Sequence, residues 1–296
     1  MQTLLVYDFD WSMIDADSDD AILHGFGLHA YFHHIHPSVI PHWPNAINHI
    51  FQCLSTLGHV PQDIEAIWDG LPFHPAMKQA ILLAKSRPNV DICVVSDANK
   101  MVIEYVLQKE GIRGLVKDIV TNHAEWDKHG RLLVTPWMPI ASHVTPGIVP
   151  IDPVHGCMRL HPMYPMNKTC PQKICLEHIC KGFELSRLCH GKSYDRIVYV
   201  GDGLNDLCPV LDLRQHDWVF VRHGRVLDSV LQEMERTLDI SGDVLDSASS
   251  DQTKVNMELC HGDDMKQGDL GVKLKARKVV WDTADELYEA FKIIFS

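Results

Sequence analysis

The sequence predicts an α/β fold: a parallel sheet flanked by helices, with a helical insert between the first and second strands. Short apolar runs alternate with stretches of helical periodicity along most of the chain, the pattern of a parallel sheet with helical crossovers. Three of those runs, residues 4–7, 92–95 and 197–200, stop at small polar or acidic residues. Open parallel sheets gather their ligands beyond the carboxyl ends of such strands.

In chain order, residues 3–8 read as the first strand. From about 21 to 80 the pattern turns helical. Ala21, Ile22, Phe26, Leu28, Tyr31 and Phe32 form one apolar stripe, and Ile47, Ile50, Phe51 and Leu54 form another, with prolines at 37, 41, 44 and 61 separating the pieces. Residues 76–85 read as a helix returning to the core, 91–95 as the second strand, 101–109 as a helix and 117–121 as the third strand. Residues 175–189 read as a helix, 196–200 as a strand and 218–221 as another. Two stretches break the alternation. Residues 136–169 are rich in Pro, His and Met, and residues 238–276 are rich in Ser, Asp, Gly and Lys, which reads as a long flexible excursion.

Composition narrows the function. At 46% hydrophobic, 296 residues suffice for one large core or a core plus a smaller domain. A net charge of −12 with no basic stripe argues against nucleic acid or an anionic membrane as partner. No apolar run is long enough to span a bilayer, and the chain enters its first strand without a leader-like segment. The nine cysteines do not form a disulfide framework in a chain this long, so a reducing, cytoplasmic setting is expected. His33, His34 and His36 cluster, and read as a solvated helix end rather than a ligand set.

Chemistry concentrates at the strand ends. Asp8 and Asp10 flank Phe9 just past the first strand. Two carboxylates two residues apart on extended backbone project side by side and repel each other unless a cation or donor intervenes. Alone, Asp-Phe-Asp also reads as a turn. The second strand ends in Ser96-Asp97-Ala98-Asn99, and the run 196–200 opens into Gly201-Asp202-Gly203-Leu204-Asn205-Asp206. The glycines permit a tight turn, and Asp202 and Asp206 are hard oxygen donors suited to Mg²⁺.

In these residues the chain resembles the haloacid dehalogenase-type phosphatases and, within them, the phosphoethanolamine/phosphocholine and pyridoxal-phosphate phosphatases. The resemblance extends to Ile14-Asp15, Ser18-Asp19-Asp20, Leu71-Pro72-Phe73-His74-Pro75, Cys170-Pro171, Cys208-Pro209 and Val279-Val280-Trp281. It implies a Rossmann-like core over residues 1–20 and 81–296 and a helical cap over 21–80, with 136–169 and 238–276 as insertions. It also implies Mg²⁺-dependent hydrolysis of a small phosphomonoester through an aspartyl-phosphate. In that reading Asp8 is the nucleophile and a metal ligand. Asp10 is the general acid and base and lends its main-chain carbonyl to the metal. Asp202 and Asp206 complete the metal site, and Ser96 donates to the phosphoryl group. Asp19 and Asp97 match positions that face a cationic head group, although locally each also reads as a helix cap. Trp11 is unusual beside Asp10 and either narrows the site or packs under the cap.

Two features depart from the pattern. The resemblance expects a lysine directly after the last cysteine of Cys-Pro-x-x-x-Cys, where this chain has Leu176. Lys173, one helical turn earlier, is the expected substitute, and Lys181 is read as lying too deep in the 175–189 helix to reach. His155, Cys157, Cys170 and Cys175 resemble a His/Cys stretch of the same family. They either hold a structural Zn²⁺ or serve as small buried hydrophobes. Alternatives on the same residues are a pyrophosphatase, a thiamine-phosphate or other cofactor phosphatase, and a catalytically weak pseudophosphatase that binds a ligand.

Overall fold

The computed structural model describes residues 1–36, 38–40, 42–138, 178–242 and 274–296. Seven strands form one sheet in the order β4-β3-β2-β1-β5-β6-β7. They are β1 (Thr3–Tyr7), β2 (Val90–Asn99), β3 (Asp118–Trp126), β4 (Leu132–Thr135), β5 (Arg196–Gly201), β6 (Trp218–Arg222) and β7 (Arg277–Trp281). All pairings are parallel except β3 with β4, an antiparallel edge hairpin absent from the sequence reading.

β1 lies at the centre with all five residues buried, as a strand covered on both faces requires. Its side chains alternate between two apolar layers. Leu5 and Tyr7 face a layer shared with α5 (Pro75–Lys85), α6 (Lys100–Lys109) and α10 (Ala284–Ile294). Leu4 and Val6 face the layer of α7 (Lys181–Cys189), α8 (Leu207–Leu211) and α9 (Val226–Gly242). By the same period of two, Asp8 belongs to the side of α7, and this fixes which helix supplies its partner.

The segment after β1 holds α1 (Ser18–Gly25), α2 (His29–Ile35), α3 (Trp43–Thr56) and α4 (Pro61–Asp69). Ile47, Ile50, Phe51 and Leu54 bury their side chains in a core continuous with one face of the sheet, as do Phe32 and Trp68, so the second predicted stripe is core-facing; of the first, Ile22 and Phe32 are buried, Ala21, Phe26 and Leu28 partly so, and Tyr31 is exposed. The division expected at 20/21 and 80/81 cuts through α1 and α5. α5 packs along its length on α10 and on β2 and so lies with the sheet.

The strands run longer than their apolar cores suggested. β2 continues through Ser96 and Asp97 to Asn99, with its register on β3 shifting between Val95 and Asn99. α9 continues to Gly242, so the expected 238–276 excursion begins as helix. The larger change is at α7. Its first residue is Lys181, with Cys180 as the cap, whose Sγ accepts from the Phe183 amide at 3.5 Å. The helix therefore starts six residues after the position read from the sequence, and Lys181 stands at its mouth.

Candidate active site

The chain leaves β1 at Asp8, whose amide still donates to the Val200 carbonyl at 2.9 Å. Sheet pairing thus holds the Asp8 backbone to the end of β5, and the residue is buried. Oδ1 accepts from the Phe9 amide at 2.6 Å, and Oδ2 accepts from Lys181 Nζ, also at 2.6 Å. Lys181 is fully buried and donates as well to Asp206 Oδ1 at 2.9 Å. Tyr199, on β5, donates to the same oxygen at 2.7 Å. Asp206 Oδ2 accepts from the amides of Asp202 and Gly203 at 3.1 and 3.0 Å, which locks the acidic loop. Gly201 is required here: a Cβ on it would lie 2.7 Å from Asp206 Cγ.

This overturns the lysine expectation. Lys181, read as too deep, is the ammonium that bridges Asp8 and the acidic loop, because helix α7 begins with it. The side chain needs to travel no helical turn to reach Asp8. Lys173, the expected substitute, lies outside the described residues. So do His155, Cys157, Cys170 and Cys175, the candidate zinc ligands.

The structure brings Asp8, Asp202 and Asp206 together, with one carboxylate oxygen from each within 4.8 Å of the others, all three buried. Ser12 donates to Asp202 Oδ1 at 3.2 Å, and Arg225 Nε to Asp202 Oδ2 at 3.0 Å. Asp10 is half-buried and turned away from this trio. Its oxygens accept from the Ser18 amide at 2.9 Å and the Ser18 hydroxyl at 3.1 Å. Its expected part in metal binding runs through its main chain. Ser96 is wholly buried, two residues past Val94, the register partner of Tyr7, and its Oγ accepts from the Ala98 amide at 3.2 Å.

Both capping alternatives for the outer carboxylates are excluded. Asp17 caps α1, accepting from the amides of Asp19 and Asp20 at 3.0 and 2.9 Å. Asn99 caps α6, accepting from Val102 at 3.2 Å. Asp19 is instead buried and accepts from Trp43 Nε1 on the cap at 2.8 Å. Asp97 places Oδ1 3.9 Å from Lys181 Nζ.

Six carboxylates, Asp8, Asp10, Asp19, Asp97, Asp202 and Asp206, thus lie close enough to influence one another's charge. Among the described residues, the cations ion-paired to them are Lys181 and Arg225. The consequences are visible in their proton affinities. Burial, opposed by Lys181 and aided by Asp206 and Asp97, pushes the Asp8 carboxyl well above its usual range. Burial, then Asp17 and Asp19, does the same to Asp10. Asp19 is pushed up to about 7, first by burial and then by Asp17. Asp202 rises to about 6 through burial and Asp206, although Arg225 and Lys181 pull it down. Burial lowers Lys181, but Asp206 and Asp8 outweigh it and hold the ammonium charged. Three converging hard oxygens are a donor set suited to Mg²⁺.

Trp11 lies against Arg225. It is the one non-glycine among the described residues with positive φ, at 55°. Its ring lies under the Arg225 guanidinium, 4.4 Å from the centroid, and its carbonyl accepts from Arg222 at 3.0 Å. It therefore steadies the arginine that holds Asp202. Arg225, Tyr199 and Trp43 escaped the sequence reading. Each lies far along the chain from its aspartate or inside a run that reads only as core, and only Gly201, which admits Asp206 so closely, left a local signal.

The family model described as "Putative Phosphatase" matches residues 3–259. Pyridoxal phosphate phosphatase PHOSPHO2 of Bos taurus is 29% identical over 241 residues, which is 81% of this chain and 90% of the relative. Inorganic pyrophosphatase 2 of Arabidopsis thaliana is 29% identical, covering 74% and 70%. Phosphoethanolamine/phosphocholine phosphatase of Gallus gallus is 29% identical, covering 79% and 78%. Among solved structures, a HAD family hydrolase from Salmonella enterica serovar Typhi aligns with a TM-score of 0.49 at 12% identity, covering 77% of this chain and 64% of that one. With that family model matched over most of its length, and its carboxylates and lysine assembled at the ends of β1, β2 and β5, the chain belongs to this phosphatase family.

Proposed function

We propose that the protein hydrolyses a small phosphomonoester carrying a cationic nitrogen, of the phosphoethanolamine, phosphocholine or pyridoxal phosphate class, with Mg²⁺ and through an aspartyl-phosphate on Asp8. The observation that carries this reading is Lys181, buried between Asp8 and Asp206. A buried ammonium bridging two carboxylates costs desolvation that a purely structural site has little reason to bear. It holds the nucleophile in place and supplies positive charge where an incoming phosphoryl group needs it.

In the first step a carboxylate oxygen of Asp8 attacks phosphorus. The Asp8–phosphorus bond forms as the bond to the leaving oxygen breaks, and Asp10 gives that oxygen its proton. Burial and the neighbouring Asp17 and Asp19 raise the proton affinity of Asp10, the direction a proton donor needs. In the second step the Asp10 carboxylate takes a proton from water. The water oxygen attacks phosphorus, phosphate leaves, and Asp8 is restored. Ser96 donates to a phosphoryl oxygen, and Lys181 stays charged throughout. Mg²⁺ bound by Asp8, Asp202, Asp206 and the Asp10 carbonyl would offset the repulsion between the two anions.

Asp19 and Asp97 support the choice of substrate. Neither is used up as a helix cap, and both add negative charge beside the site, which favours an ammonium or pyridinium group and disfavours bare pyrophosphate. The lysine in place removes the sequence-level argument for a pseudophosphatase. The test is turnover with Mg²⁺ of phosphoethanolamine, phosphocholine, pyridoxal phosphate, thiamine phosphate and pyrophosphate. The account expects a higher kcat/KM on one of the four nitrogen-bearing monoesters than on pyrophosphate, and a drop in that preference in Asp19→Asn and Asp97→Asn. Faster turnover of pyrophosphate would refute the substrate class. No turnover of any of them by folded protein would refute the activity.

A further inference from the structure

A second cluster of ligand-type side chains lies on the cap, outside the phosphatase site. Helices α1 and α2 are joined by a tight turn in which Gly27 takes φ +67°, a conformation that favours glycine. The turn folds α2 back, so that its first residue, His29, meets the exposed face of α1. On that face Asp20 and His24 stand one turn apart. Asp20 Oδ2 is 3.4 Å from His24 Nε2, and Asp20 Oδ1 is 3.5 Å from His29 Nε2. The His24 and His29 rings stack with centroids 4.4 Å apart, and one ligand atom from each of the three residues falls within 4.8 Å of the others. One turn along α2, His33 brings its Nε2 to 3.1 Å from that of His29.

We propose that Asp20, His24 and His29, with His33 beside them, bind a divalent transition-metal ion of the zinc class. Tetrahedral bonds of about 2.05 Å put neighbouring donor atoms about 3.3 Å apart, close to the separations seen here. The donor set also discriminates. Imidazole nitrogens with one carboxylate suit Zn²⁺, Ni²⁺ or Cu²⁺ and not Mg²⁺, so the site does not compete with Asp8, Asp202 and Asp206 for their metal. The site joins α1 to α2 across a glycine turn. Asp20 directly follows Asp19, so an ion here would fix the start of the helix that carries a substrate-facing carboxylate.

The test is titration of the full chain in saturating Mg²⁺ with Zn²⁺, followed by calorimetry, and with Co²⁺, followed by absorption. The wild type should bind an equivalent of Co²⁺ with visible d–d bands and no sulfur-to-metal charge transfer. That equivalent should be lost, or weakened at least about tenfold, in His24→Ala/His29→Ala, whose side chains are surface-exposed, and retained in Cys157→Ser/Cys170→Ser. Zn²⁺ should also raise the thermal midpoint of the wild type and not of the histidine variant. Undiminished Co²⁺ and Zn²⁺ binding in the histidine variant would overturn the proposal, as would a wild type that takes up ion only with a thiolate signature or not at all.

Discussion

Replacing Lys181 by methionine isolates the charge on which the site depends. The substitution keeps a long unbranched stem of similar volume, so α7 and the layer around Val6 and Tyr199 need not repack. It deletes two charge-assisted hydrogen bonds, 2.6 Å to Asp8 and 2.9 Å to Asp206, and leaves both carboxylates buried without their cation. Breaking such a pair costs about 3–5 kcal/mol, within the roughly 5–15 kcal/mol that holds a typical domain folded. The variant should therefore fold but unfold at lower urea. Losing one preorganised charge in a dry site costs about 2.7–4 kcal/mol of transition-state stabilisation, or on the order of 10²–10³ in kcat/KM. The assay is kcat/KM at 15 °C with saturating Mg²⁺ on the substrate preferred in the screen, with urea unfolding of the same preparation. Lys173→Ala, under the corrected geometry, should leave kcat/KM within about twofold. A folded Lys181→Met enzyme within about threefold of wild type would refute the assignment of charge.

Activity should vanish with EDTA and return with Mg²⁺, whereas Ca²⁺ should inhibit, because its larger and looser coordination misplaces the phosphoryl group; full activity in metal-free buffer would contradict this. Asp19 binds its proton more tightly folded than unfolded, with its value pushed up to about 7. Its contribution to stability is therefore fully present below the ordinary carboxyl value and lost as pH rises through about 7. Urea midpoints in EDTA should fall over that window and fall less steeply in Asp19→Asn, so parallel slopes would count against its burial. Gly201→Ala drives a Cβ to 2.7 Å from Asp206 Cγ, in a carboxylate held by Lys181, Tyr199 and two amides. Overpacking there should cost about 1–3 kcal/mol and reduce kcat more than KM, and a silent Gly201→Ala would show the loop to be looser than described.

Much of the core was legible because its pattern is local. Residues 4–7 and 197–200 are short unbroken apolar runs, as doubly covered strands show, and an acidic residue follows each within two positions. The helix boundary at Lys181 was not legible. An apolar stripe in 175–189 shows that a helix exists, but its start depends on Cys180 serving as cap, a weak signal in sequence. That single boundary decides whether Lys181 points into the site or along a helix. The capping roles were misread for a related reason. Asp17, Asp19 and Asp20 are equivalent on paper, and only the backbone turn at Asp17 selects the cap and frees Asp19 for Trp43. The histidine cluster shows the same limit. Adjacent His33, His34 and His36 drew attention, while the convergent set of Asp20, His24 and His29 forms only after Gly27 folds α2 back.

The claim on which the rest depends is that Asp8 carries the phosphoryl group. The direct measurement is an acid quench of the enzyme turning over a ³²P-labelled substrate with Mg²⁺, followed by peptide mapping of the protein-bound label. The account predicts acid-stable, hydroxylamine-labile label on the peptide containing Asp8, absent in Asp8→Asn, whose turnover should fall by several orders of magnitude. Steady turnover with no label on that peptide, or an Asp8→Asn enzyme retaining more than about a tenth of wild-type kcat, would contradict it.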